Sequence, residues 1–221
     1  MNTAKWNEFF TLVDDCYGCM MGEEDSDYTS WQKSFEMFKE LVKEEREADP
    51  SFAPEFIMID EAMDFDSDIE DWLTECLDEM DINEEYDTLL SMCNDILELF
   101  KWPEDVGSDI RFLKARTMAA LDKKKECADF CGEWLCNEPE NIVAATANVY
   151  ALIGTEEYAK AEEIVKHFIL DTTECSIDND LMYIAAATLY QLTGDLQKAE
   201  QLKNEIEAFD LSINEESGND L

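Results

Sequence analysis

Positive charge is what this chain has least of. Its 221 residues carry 16 Lys and Arg and one His against 55 Asp and Glu, a formal charge of −39 at pH 7. A surface so poor in cations is repelled by phosphate backbones and anionic headgroups, which argues against direct nucleic-acid or membrane binding. Proline and glycine are scarce too, at four and seven residues, and that disfavours a loop-rich sandwich. With a single histidine, Ser-His-Asp or Cys-His catalysis would have to use His167. Long apolar runs are missing: the uncharged stretch from Asn141 to Thr155 falls short of the roughly 20 residues a membrane helix needs. The N-terminal segment lacks the apolar core of a signal peptide, so the eight cysteines are expected to stay reduced in a cytoplasmic protein. What is present rules out a disordered acidic chain: 46% of residues are hydrophobic, with twelve Phe and five Trp.

Those apolar residues recur at helical spacing. Trp31, Phe35, Phe38, Leu41 and Val42 form one stripe, behind Thr29 and Gln32 as a capping box. Tyr86, Leu89, Leu90, Cys93, Ile96, Leu97 and Phe100 form another, with Asn83 as its N-cap and Glu84 and Glu85 in the first turn. No segment alternates with a period of two, so the expectation is about eleven helices and no strands. Breaks fall every dozen to twenty residues, which suggests stacked helical hairpins. The tail from Leu211 to Leu221 is polar and is expected to be flexible.

The C-terminal half repeats itself. Tyr150 and Tyr190 each stand four residues before a glycine, Gly154 and Gly194, and each glycine precedes a helix with a small packing residue, Ala161 and Ala199. The physical reading is that glycine ends the first helix in a left-handed turn and alanine lets the second pack closely. On these residues the chain resembles a tetratricopeptide repeat protein. Tyr183, Tyr190, Gly194, Asp195, Leu196 and Ala199 fit the family's pattern; Tyr150, Gly154, Tyr158 and Ala161 fit it with a two-residue insertion. The unit from Ser108 to Pro139 keeps Ala128 and the proline but has Lys123 where glycine belongs, and Asp68 to Pro103 keeps Trp72 and a terminal proline. The resemblance covers residues 68–210; residues 1–67 read as a helical hairpin plus a short helix continuous with the array. It implies an all-α, right-handed solenoid of stacked antiparallel hairpins that binds protein segments in its concave groove.

Candidate chemistry has a plainer reading in each case. His167 sits near the end of a helix over 157–170, where an imidazole complements the dipole. Cys16 and Cys19 have zinc-ligand spacing and Cys127, Cys131 and Cys136 cluster, but a zinc site wants two such pairs, or a pair with histidines. Most of these thiols fall on apolar stripes and read as small core residues, so no metal or other cofactor is expected. Asp64, Asp66, Asp68, Glu70 and Glu75 occupy positions 1, 3, 5, 7 and 12 of an EF-hand-like loop, a weak calcium candidate. Ile69 replaces the glycine of the sharp turn, and the plainer reading is an acidic helix start with Asp68 as N-cap.

Charge distribution carries the functional expectation. Between Arg46 and Lys101 there is no Lys, Arg or His, while nineteen Asp or Glu occur among continuing apolar stripes. That is a folded acidic surface, and its field would attract a basic protein. The sequence therefore reads as a monomeric, non-enzymatic interaction module that engages a basic or amphipathic protein segment, with Asp64, Asp66, Glu70 and Asp71 as candidate contacts. The alternative is a nucleic-acid mimic that occupies the cationic groove of a nuclease or DNA-binding protein.

Overall fold

The computed structural model describes residues 3–20, 29–62, 68–103, 106–169 and 173–218. Among them the chain forms eleven α-helices and no strand, with one isolated bridge between Glu55 and Lys101. It divides into two compact units, Met1–Ile110 and Arg111–Leu221.

The N-terminal unit contains α1 (Thr3–Met20), α2 (Thr29–Ala48), α3 (Met58–Ala62), α4 (Ile69–Ile82) and α5 (Tyr86–Leu99). Its core is aromatic. Phe9 and Phe38 meet Trp72 with ring centroids 4.9 and 5.2 Å apart, so the faces of α1, α2 and α4 close on one another. The sequence boundary at 67/68 thus runs through a shared core. Ser34, fully buried, satisfies that core's polar atoms: its Oγ accepts from Trp72 Nε1 at 3.3 Å and donates to Trp31 O at 2.8 Å. Gln32 Nε2 donates to Met80 Sδ of α4 at 3.7 Å.

Arg46 ties the end of α2 to the loop after it and to the end of α5. Its guanidinium donates to the carbonyls of Phe52 (3.2 Å), Ala53 (2.6 Å) and Leu99, and lies 4.8 Å from the Phe100 ring centroid. Burial lowers its pKa from the ordinary value. Gly107 is required by geometry: its φ is +80°, and a Cβ there would come within 2.5 Å of Trp102.

The C-terminal unit begins within α6 (Ser108–Ala120) and continues with α7 (Lys124–Asn137), α8 (Ile142–Gly154), α9 (Tyr158–Phe168), α10 (Asp180–Thr193) and α11 (Leu196–Gly218). Here the core is built from small residues. Ala145, Ala161, Ala185 and Ala186 are fully buried beside Val149, Tyr183 and Leu189, and alanine lets helix axes approach closely. Asn141 caps α8 through Val143 N (2.9 Å) and Ala144 N (3.1 Å). Its amide donates to Glu138, which also accepts from Trp134 Nε1 and pairs with Arg111 at 3.2 Å. The helix α11 extends through the segment the sequence reads as a flexible tail, to Gly218.

The turns inside the hairpins correct two expectations. Gly194 is left-handed, with φ of 87°, as its place before α11 implies. Gly154 is not: it is the last residue of α8, Thr155 is the C-cap, and the left-handed residue is Glu156, φ 63°. The two-residue insertion shifts the turn onto a carboxylate. Between α6 and α7 the corresponding residue is Asp122 (φ 57°), one before Lys123. Asn83 likewise closes α4, bonding Glu79 O, rather than opening α5; Glu84 takes φ 57° and Glu85 is the N-cap. One hydrogen bond recurs in these three turns: the backbone amides of Glu85, Lys123 and Glu157 donate to the carbonyls of Met80, Met118 and Leu152, at 2.8 to 2.9 Å. That closes a Schellman-type C-cap each time.

Candidate functional site

The acidic candidates do not converge on one point. Asp64 and Asp66 lie outside the described residues. Asp68 caps α4, its carboxylate accepting from Asp71 N at 3.2 Å, so this member of the loop acts as a cap. Glu70, Asp71 and Asp78 are exposed on α4 and Glu75 is partly exposed, while Ile69, Trp72, Leu73, Cys76 and Leu77 fill its buried face. On α5, Asp87 and Glu98 are exposed. Among the described residues no group of three or more His, Cys, Asp or Glu could hold a metal ion.

Asp60 stands apart from the other carboxylates. It accepts from Ile69 N at 3.2 Å, and burial, with Asp68 and Asp71 nearby, pushes its pKa above the ordinary value despite that bond.

The thiols follow the apolar stripes. Cys16, Cys76, Cys93, Cys127 and Cys131 are buried, and Cys136 is exposed. Cys127 and Cys131 Sγ lie 4.0 Å apart, and the hydrogen bond between them holds the Cys131 thiol well above its usual range. Cys127 also donates to Ala115 O at 3.3 Å. His167 is exposed in the last turn of α9, edge-on to Phe168.

Of the repeat residues, Ala161 and Tyr183 are fully buried, and Tyr190 and Ala199 nearly so. Tyr183 donates to Thr173 O at 2.8 Å, and burial pushes its phenol up to about 12. Tyr150 and Gly154 do something the sequence did not reveal. They line a cavity of ≈ 430 Å³ within the C-terminal unit, together with Ala147 and Ala151 of α8. Phe112, Ala115 and Ala119 of α6 also line it, with Cys127 of α7 and Leu181 of α10. Two cations complete it, Arg116 and Lys124. Burial pushes the Tyr150 phenol above its ordinary range, so it stays neutral at physiological pH. Leu181 and Ile184, three residues apart on α10, remain 46% and 39% exposed, so apolar surface continues along that helix.

The sequence did contain a clue to this polarity. Six of the sixteen Lys and Arg fall between Arg111 and Lys125, alongside one carboxylate, Asp122. Net charge over the whole chain hides the reversal. In comparison with known proteins, the chain matches no protein family, no curated protein and no solved structure.

Proposed function

We propose that this protein is a non-enzymatic interaction module, assembled from tetratricopeptide-like hairpins, whose acidic N-terminal unit engages a basic or amphipathic segment of a partner protein. The observation that carries this reading is the sorting of α4: carboxylates Glu70, Asp71 and Asp78 face solvent, while its apolar residues are buried. The stretch from Glu47 to Phe100 holds no Lys, Arg or His, so these carboxylates have no cation of their own stretch to neutralise them. Such a surface attracts cations over a screening length and speeds encounter with a basic partner. The repeat-like architecture is supported by the recurrence of a left-handed residue between helices at Glu84, Asp122, Glu156 and Gly194, 34 to 38 residues apart.

The test is a binding titration with a Lys-rich amphipathic helical peptide and its Glu-rich counterpart, between about 20 and 300 mM salt. The basic peptide should bind and weaken as salt rises, and the acidic one should not bind. In the combined variant Glu70→Gln, Asp71→Asn, Asp78→Asn the association rate should fall at low salt. An unchanged rate would mean that α4 is a solvated face and no more.

A further inference from the structure

The cavity of the C-terminal unit has a character opposite to the acidic surface. We infer that it binds an unesterified alkyl monocarboxylate of medium chain length, with the chain between α6 and α8 and the carboxylate at Arg116 and Lys124. This goes beyond the proposed interaction role and rests on different residues.

Three observations carry it. The volume of ≈ 430 Å³ falls in the range of small-ligand pockets. The walls are mostly carbon: Phe112, Ala115, Ala119, Ala147, Ala151 and Leu181 present no polar side-chain atom, Cys127 already donates to Ala115 O, and the polar side chains of the lining are the Tyr150 phenol, Arg116 and Lys124. An extended peptide in this cleft would desolvate most of its amides against carbon, with one phenol and two cations as side-chain partners, and each amide left without a partner costs about 1 to 3 kcal/mol. A hydrocarbon chain has no such groups to desolvate and gains from leaving water. The third observation is charge. Arg116 and Lys124 line the cavity, and α7 starts at Lys124 with no side-chain cap on its first amides, which adds positive potential there. Asp122, 3.7 Å from Lys124, and Glu126 in the first turn of α7 offset part of it.

The local and global fields make opposite demands. A chain of −39 draws alkylammonium ions and repels carboxylates at long range. A preference for the carboxylate therefore has to come from the cations at the cavity.

The experiment is calorimetric titration of the full chain with three ligands of one chain length: decanoate, N-methyldecanamide and decyltrimethylammonium, all kept below micelle formation. The amide stands for an acyl chain attached to another molecule. Decanoate should bind one to one, about tenfold or more tighter than the other two, as a charge-assisted hydrogen bond warrants. Arg116→Gln with Lys124→Gln should remove the preference among head groups and leave amide binding in place. Gly154→Leu and Ala119→Trp should each abolish decanoate binding by filling the space; Gly154 has nothing within 4 Å of an added Cβ, and Ala119 is exposed. No binding by decanoate, equal binding of all three ligands, or tightest binding of the amide or the ammonium would overturn the proposal. So would decanoate binding that survives both filling variants. The wild-type series decides the question even where a variant misfolds. Neutralising the α4 carboxylates leaves it unaffected, so failure of either reading shows separately.

Discussion

Glu156 and Gly194 each hold a left-handed backbone in the turn after a helix, Glu156 after α8 and Gly194 after α10, with φ of 63° and 87°. Glycine adopts that conformation freely, whereas a side chain with a Cβ costs about 1 kcal/mol. Glu156→Gly should therefore raise stability by about 0.5 to 1 kcal/mol, and Gly194→Ala should lower it by about 1 kcal/mol. Urea midpoints at moderate salt read both changes. Should Glu156→Gln stabilise as much as Glu156→Gly, relief of charge repulsion and not backbone strain is the cause.

Arg46 directs its charge at carbonyl oxygens. Replacing it with Met leaves the carbonyls of Phe52, Ala53 and Leu99 without their donor, at an expected cost of about 2 to 4 kcal/mol. Arg46→Lys keeps the charge but cannot reproduce the three-way fork, so most of the loss should remain. Full stability in the Lys variant, measured by chemical denaturation, would show that charge alone matters.

Asp60 should make the fold respond to mild acid. Burial raises its native pKa, so across that window the folded state holds more protons than the unfolded chain, and stability rises as pH falls into it. Asp60→Asn keeps an acceptor for Ile69 N and removes the half-buried charge. The variant should be more stable than the parent at neutral pH by a few tenths of a kcal/mol, and the difference should vanish below the ordinary carboxylate pKa. A gap that is constant with pH would assign the effect to something other than titration.

Thiol reactivity should follow burial. Native alkylation is expected to modify exposed Cys136 well before Cys76, whose pKa burial holds well above the usual value. Peptide mapping after graded exposure to iodoacetamide reads the order. Equal rates at the two residues would mean that the α4 core opens far more readily than its packing suggests.

Much of the helical architecture was legible in the sequence because periodicity is a property of neighbouring residues. The stripe Trp31, Phe35, Phe38, Leu41 and Val42 is buried along α2, and Asp68 caps α4 because a short acidic side chain reaches amides three residues on. Alanines 161 and 199 marked close packing for the same local reason. The turn positions were only half legible: Gly194 was readable as left-handed, but where Glu84, Asp122 and Glu156 take that conformation no glycine signalled it.

What tertiary structure alone decided depends on residues far apart in the chain. Trp72 Nε1 finds Ser34 across 38 positions and Lys39 meets Asp95 across 56, and no local pattern encodes such pairings. The cavity is the strongest case. Its walls come from α6, α7, α8 and α10, and alanines that look like ordinary packing residues leave space only because of how those helices cross. Net charge and helical period are sums over the sequence, and determined by it. Where cations meet an apolar hollow in an acidic protein is a matter of position, which packing sets.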